Sequence, residues 1–421
     1  MSLSKPEGKL SNHQLKASNR PLRILYGISS VGLGHVRRSL AVAEKLRSIQ
    51  PFVQIDFVAA EPALSFLKNA GEKNILEVSS SLQSMSEFLE RESKDGKISD
   101  MSKITASSVE GASANYELVK SFLPNYDILI QDEFVETMFS FMWDKNYSVP
   151  NLKTVVITDY VQFDTESSNP FNKIKISYAN RMLRRAYLNQ QLRIFADSPD
   201  ALPPKGDLRE FVSANFHVVG PVVENLPKES ADELRKKFFG ETEGVTFLIF
   251  SVGGTSIGKR LVEFVVRNAD ILSERLDAYL VVLAGPRVDI SKLKESTSTR
   301  LSVIPFTLDS VKYFKAAHCV VTQAGVSTMN EVASIGTPCV VIPIGHHFEQ
   351  VQNAERFASR FNFQILEYNE LGRTALERAV RDVLASKYDP MPPSSAAESI
   401  AKLVFSFASY ESPEPSTLKA E

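Results

Sequence analysis

Two cysteines, one tryptophan and six histidines are all that the 421 residues contain of those types. Cys319 and Cys339 sit inside apolar, strand-like runs without metal-ligand spacing, so they read as buried, inert thiols. No apolar run reaches the roughly 18 residues of a membrane span. The first twenty residues are polar and lack the apolar core of a secretion signal, which makes the cytoplasm the expected location. Neither charge sign dominates: the formal net charge is -2, so no global basic field points to nucleic acid. Several motifs are missing as well. There is no GxxxxGK[ST] loop and no DxD pair, and GLGHVR lacks the third glycine of a dinucleotide fingerprint even though Asp56 follows it.

What remains is an ordinary globular composition, 43% hydrophobic and 23% charged, in a chain long enough for two or three domains. After an arm expected to be disordered (1–20), apolar strands alternate with helical patterns. Leu22 to Ile28 is followed by helically spaced Val36, Leu40, Val42, Ala43 and Leu46. Such repetition implies parallel strands with right-handed crossovers. Residues 79–115, rich in Ser, Lys and Glu, read as an inserted lobe or mobile loop. The rhythm then resumes through YDILIQ, KTVVITDY and RIFADSP. Residues 21–222 form the expected first α/β domain and 223–243 a linker. Residues 244–390 form a second α/β domain and 391–410 a helix that can pack back on the first. Residues 411–421 form a disordered tail. Two doubly wound parallel sheets facing a cleft are therefore expected, with ligands at the carboxyl ends of the strands.

Three glycine turns follow strands and open helices: GLGHV (32–36), VGGTSIG (252–258) and QAGVST (323–328). A helix N-terminus offers free N–H groups to phosphate, and glycine lets the backbone come close. The segment QAGVSTMNEVASIGTPCVVIPIGHHFEQVQNA adds Thr328, Glu331, Gly336, Pro338, Pro343, Glu349, Gln350 and Asn353 at specific spacing. In this it resembles the UDP-glycosyltransferases and the related murein and diacylglycerol glycosyltransferases. The resemblance implies the GT-B fold and transfer of a sugar from a nucleotide-sugar, foremost a UDP-sugar, to an acceptor hydroxyl. No cofactor is implied, because the nucleotide-sugar is a co-substrate, and no metal. It assigns Glu331 to the ribose hydroxyls, Gly325, Val326, Ser327 and Thr328 to the phosphates, and Glu349 and Gln350 to the donor sugar. Gly253 and Gly254 would admit donor or acceptor, and Ile304 to Phe306 would surround the base. Gln323, Phe306, Glu349 and Val223 depart from common residues of these families.

His35 stands at the mouth of the first turn, and an imidazole near pKa 6.5 suits a general base. In many inverting enzymes of the resembled family the histidine of this turn has that role. Asp132, after YDILIQ, is the expected orienting carboxylate, and Asp159 the expected acceptor contact beside Gly32, Gly34 and Arg37. Arg37, Arg38 and Arg287 are phosphate candidates, though each alone is more often a surface charge. His346 and His347 flank the donor loop without metal-ligand spacing. Arg181, Arg184 and Arg185 share one helix face beside Met182, Leu183, Tyr187 and Leu192, which suits a lipid-linked or anionic acceptor met at a membrane surface. The competing readings are a sugar-nucleotide epimerase of the same architecture and a non-catalytic nucleotide-sugar-binding subunit.

Overall fold

The computed structural model describes residues 20–91, 93–94, 97–98, 101–143, 149–164, 169–223, 226–240, 244–293, 298–345, 347–387 and 389–408. The expected arm and tail lie outside these residues, apart from residue 20.

The first half runs β1 (Arg23–Ile28), α1 (Gly34–Ile49), β2 (Gln54–Ala59) and α2 (Ala63–Asn69), then α3 (Met85–Arg91), the short hairpin β3 (Ser93–Lys94) and β4 (Lys97–Ile98), and α4 (Met101–Val119). It continues with β5 (Ile128–Asp132), α5 (Val135–Trp143), β6 (Lys153–Thr158), α6 (Pro170–Leu188), β7 (Leu192–Phe195), α7 (Asp207–Asn215) and β8 (His217–Val218). The second half holds α8 (Ala231–Phe239), β9 (Thr246–Ser251), α9 (Lys259–Arg267), α10 (Ala269–Leu276), β10 (Ala278–Leu283), β11 (Leu301–Ile304) and α11 (Ser310–Ala316). It closes with β12 (Cys319–Thr322), α12 (Val326–Ile335), β13 (Cys339–Val341), α13 (Phe348–Ala358), β14 (Phe363–Ile365), α14 (Arg373–Ala385) and α15 (Ala396–Ala408).

Two six-stranded sheets result, in the orders β2-β1-β5-β6-β7-β8 and β11-β10-β9-β12-β13-β14. Their strand pairs are parallel throughout. The central strands are apolar along their length because helices cover both faces, as parallel sheets require. Strand order reverses between β1 and β5 in one sheet and between β9 and β12 in the other. The loops leaving these four strands therefore diverge and open a crevice.

Three expectations need correction. Of the two readings of residues 79–115 the mobile loop fails and the inserted lobe holds, because α3, the hairpin and most of α4 fall there. Phe88 and Met85 pack with Ala112, so a few apolar side chains suffice for a small satellite core. The stretch 223–243 is not plain linker, since α8 lies within it. Phe239, at the end of α8, stacks on Phe247 of β9 at 4.4 Å, which ties that helix to the second domain. GKRLVEFVVRNADIL forms two helices, which break at Asn268.

The last helix crosses to the first domain. Ala397, Ile400, Ala401 and Val404 recur at helical spacing and are buried in one cluster with Ile24, Tyr26 and Ile28 of β1 and Leu46 of α1. Burying Ile400 alone contributes about 1.5–3 kcal/mol. Lys153 caps the helix by donating from Nζ to the carbonyls of Phe407 and Ala408 at 2.9 and 3.0 Å.

Candidate functional site

The three glycine turns meet in one cavity of about 1170 Å³ between the domains, large enough for two small substrates together. Side-chain bulk at the turns would hold the domains apart. A Cβ on Gly254 would lie 2.7 Å from Leu33 Cγ and 3.0 Å from the Gly32 carbonyl carbon, and one on Gly34 would collide with Ser327 Oγ. Gly32 itself turns at φ +74°, where a side chain is strained.

Two helices begin at this contact. Neither α1 nor α12 has a side-chain cap at its start, with Leu33 and Gly325 in the cap positions. Their first N–H groups have no partner within the helix, and the helix dipole adds positive potential there. Gly325, Val326, Ser327 and Thr328 all line the cavity, as do Gly253 and Gly254. The side-chain nitrogen of Gln323 is buried there without a hydrogen-bond partner among the described residues.

Glu331, one turn into α12, also faces the cavity. Burial raises its pKa, and Arg37 across the cleft opposes that rise from 3.6 Å. Arg37 is anchored on Ser310 Oγ at 2.8 Å and lies over the Phe66 ring. It is therefore a cross-domain contact of the nucleotide half and not a loose surface charge. Phe306 sits edge-on to Phe66, with ring centres 5.7 Å apart. Gln350 accepts the Ile344 N–H at 2.9 Å and so fixes the loop entering α13, although it still lines the cavity. Glu349 lines it too, and burial pushes its carboxyl above the usual range. His346 lies outside the described residues. His347 lines the cavity, and burial lowers it to about 4, so it is neutral at pH 7.

Opposite the nucleotide half stands a buried ionic cluster. Arg38 reaches it from the first turns of α1. Its guanidinium donates to Asp132 from Nε at 2.9 Å and from Nη2 at 2.5 Å, and to Asp159 from Nη1 at 2.6 Å. Arg38 is thus the hub of the cluster and not the phosphate contact the sequence suggested. His35 Nδ1 lies 3.1 Å from Asp132 Oδ1, which joins the expected base and its expected orienter. Asp159 is in the same cluster. Arg38 holds Asp132 down to about 2 although burial works the other way.

Glu133 is the residue the sequence reading missed. Its Oε2 lies 3.5 Å from His35 Nε2, on the far side of the imidazole from Asp132. Its Oε1 accepts from Asp159 N–H at 2.9 Å and from Thr158 Oγ1 at 3.0 Å. The residue adopts φ +48°, a conformation that costs a non-glycine residue roughly 1–3 kcal/mol. Burial disfavours the charged imidazole of His35, but the Glu133 charge and the Asp132 hydrogen bond outweigh it and hold His35 up to about 9. The environment therefore departs from the near-neutral imidazole expected of a simple base. The one available signal was QDE, a second carboxylate next to the strand-end aspartate.

Much of the remaining cavity wall is apolar and includes Val31, Leu89, Phe139, Phe163 and Met182. Helix α3 closes one side. Glu90 accepts from Ser256 N–H at 3.0 Å and from Arg287 at 2.8 Å, so Arg287 ties the lobe to the second domain. The basic face proposed on α6 also changes. Arg184 pairs with Asp207 at 2.6 Å, while Leu183, Tyr187 and Leu192 are core residues. The most exposed apolar side chains of that helix are Phe171, Ile174 and Tyr178, at 72%, 66% and 65% exposure. Ile174 and Tyr178 run into the cavity wall, with Lys173, Lys175, Arg181 and Arg185 exposed nearby.

Residues 248–406 match the family model "Glycosyltransferase family 28 C-terminal domain". An uncharacterised glycosyltransferase of Methanopyrus kandleri is 27% identical over 229 residues, 53% of this chain and 63% of that protein. The UDP-N-acetylglucosamine--N-acetylmuramyl-(pentapeptide) pyrophosphoryl-undecaprenol N-acetylglucosamine transferase of Bartonella bacilliformis is 28% identical over 160 residues, 37% of this chain and 42% of the relative. The matches thus span less than two thirds of either relative. Among solved structures, Arabidopsis thaliana UGT89C1 complexed with UDP aligns with a TM-score of 0.59 at 12% identity, covering 91% of this chain and 94% of that one. A Listeria monocytogenes protein assigned as a UDP-N-acetylglucosamine 2-epimerase aligns at 0.54 and 12% identity, covering 94% and 98%. At such identities the structural likeness speaks for the fold alone. Residues 248–406 thus carry a likeness to the family 28 glycosyltransferase C-terminal domain, and the two sheets stand in the two-domain arrangement of the GT-B fold.

Proposed function

We propose that this protein transfers a sugar from a UDP-sugar to an acceptor hydroxyl, with inversion and without a metal ion. One observation carries the reading: the uncapped start of α12, with Glu331 one turn in, faces the His35–Asp132–Arg38 cluster across a single cavity. A diphosphate at the helix start gains N–H donors and a favourable dipole, which can stabilise the leaving group without a cation. Glu331 is suited to the ribose, because a carboxylate accepts from two hydroxyls at once. Glu349 and Gln350 lie where they can meet the donor sugar, and Phe306 where it can meet the base. The cluster around His35 and Asp132 takes the acceptor proton, with Asp159 beside the acceptor.

A lipid-linked acceptor suits the apolar half of the cavity, and the relative from Bartonella bacilliformis is named for such a substrate. The exposed Phe171, Ile174 and Tyr178, with cations beside them, would lie on anionic headgroups, which makes the protein a peripheral one on the cytoplasmic side. No described helix is long and apolar enough to cross the bilayer. An epimerase shares the fold but has no use for a second substrate pocket, and a pure binding subunit has no use for the cluster. The test is product analysis. UDP-glucose, UDP-galactose and UDP-N-acetylglucosamine are each incubated with diacylglycerol or polyprenyl-diphosphate-sugar acceptors. A glycosylated lipid plus UDP is expected. An isomerised donor, or a donor bound but unchanged, refutes transfer.

A further inference from the structure

We infer that Glu133 is a catalytic residue, the group that receives the acceptor's proton, with His35 behind it as the positioning cation. The inference rests on the transfer reading above and assigns the base within it. Glu133 and His35 both line the cavity, so both are open to an acceptor. His35, however, has both nitrogens engaged. Nδ1 lies 3.1 Å from Asp132 Oδ1 and 3.0 Å from Arg38 Nη2, and Nε2, which a general base would turn to its substrate, faces Glu133 Oε2 at an ion-pair distance of 3.5 Å. Glu133 is held at its other oxygen by the Asp159 N–H and the Thr158 hydroxyl, which leaves Oε2 directed at His35 and the cavity. Its left-handed backbone conformation, rare for a glutamate, marks a position that the surrounding structure maintains against strain.

The charge distribution supports the same order. The groups facing Glu133 are His35 and Arg38 on α1, Asp132 at the end of β5, Asp159 and Tyr160 after β6 and Tyr187 on α6, with Glu349 of the second domain near His35 and Asp159. Against its burial, the Glu133 charge and the Asp132 hydrogen bond raise His35 above an ordinary imidazole, so while Glu133 is ionised His35 holds its proton more tightly. Burial and the Asp159 charge raise Glu133 above an ordinary carboxylate, toward the range in which a base works best. In the step proposed, the acceptor O–H bond breaks and its proton passes to Glu133 Oε2. The released electron pair forms the new bond to the sugar C1. The bond from C1 to the diphosphate oxygen breaks, and its pair stays on the leaving phosphate. Glu133 returns the proton to solvent as the nucleoside diphosphate departs.

Two variants separate this from the alternative in which His35 is the base and Glu133 only its counter-ion. Glu133→Gln and Thr158→Val are assayed across pH 6–9.5 with the donor and acceptor that give turnover in the panel above, and UDP affinity is measured by calorimetry. If Glu133 is the base, Glu133→Gln loses roughly 100-fold or more in kcat at every pH while binding UDP as the parent does. If His35 is the base, the same variant frees the imidazole toward its ordinary pKa, so the acid limb moves down and activity at pH 7 is kept or rises, which overturns the inference. Thr158→Val keeps the inference testable should Glu133→Gln fail to fold. Loss of a donor to the carboxylate raises the pKa of Glu133, so the acid limb moves up if Glu133 is the base. It stays or moves down if His35 is the base, and that result also overturns the inference. Absence of turnover by the parent protein with every pair would instead sink the transfer reading, and this inference with it.

Discussion

Replacing Arg38 with methionine should destabilise the first domain more than any surface change could. The guanidinium side chain is 5% exposed, and its three partners, Asp132, Glu133 and Asp159, are 0%, 7% and 9% exposed. An exposed ion pair contributes about 0–1 kcal/mol. Removing one member of a buried pair leaves uncompensated charge and costs about 3–5 kcal/mol. Methionine fills much of the same space, so the loss reports charge more than cavity. For a domain of this size that loss corresponds to a fall in Tm of roughly 6–20 °C. The only tryptophan, Trp143, lies in the first half, so its fluorescence during urea titration follows that half. Arg38→Met combined with Asp132→Asn should lose less than Arg38→Met alone, because one stranded carboxylate is then neutral. A loss under about 1 kcal/mol, or a double variant weaker than the single, would refute the view of a buried charge cluster held by one arginine.

Glu331→Ala should weaken UDP binding by about 1.5–3 kcal/mol, roughly 10- to 150-fold in Kd, as ribose hydroxyls lose a charged acceptor; unchanged calorimetric affinity in a folded variant would remove Glu331 from the site. Transfer should survive EDTA, and complete loss restored by Mg or Mn would contradict helix-terminus stabilisation of the leaving group. Flotation with anionic vesicles at low salt should carry the protein, and the triple change of Phe171, Ile174 and Tyr178 to serine should abolish it, while absence of binding by the parent would favour a soluble acceptor. His35 adds a pH term to stability. Its folded pKa is raised from 6.5 to about 9, so its contribution is full below pH 6.5 and is lost as pH rises through 9. Parent Tm should therefore fall over that window by more than that of His35→Gln, and equal slopes would show that the histidine is not held as a cation.

Periodicity and punctuation by themselves determined the α/β class, the two-domain layout and the three glycine turns. Each of these is a local property: apolar runs such as Ile128–Ile130 and Val340–Ile342 must be buried on both faces, and glycine must stand where backbones touch. The spacing from Gly325 to Asn353 also carried the resemblance to glycosyltransferases, because its residues follow one another along the consecutive elements α12, β13 and α13. The lobe at 85–119 was hidden because its core is small and its surface polar, so its helices carry little apolar signal. Only the tertiary structure decided which charges pair. Arg37 and Arg38 are sequence neighbours, yet successive positions on a helix point about 100° apart. One therefore reaches across the cleft to Glu331 while the other turns inward to Asp132 and Asp159. The same holds for Glu133. Its place beside His35 depends on β1 and β5 lying side by side, with Ile28 opposite Asp132, and no spacing within the chain encodes that register. The ionisation of His35 follows from that packing, because charge and burial act through distance in space.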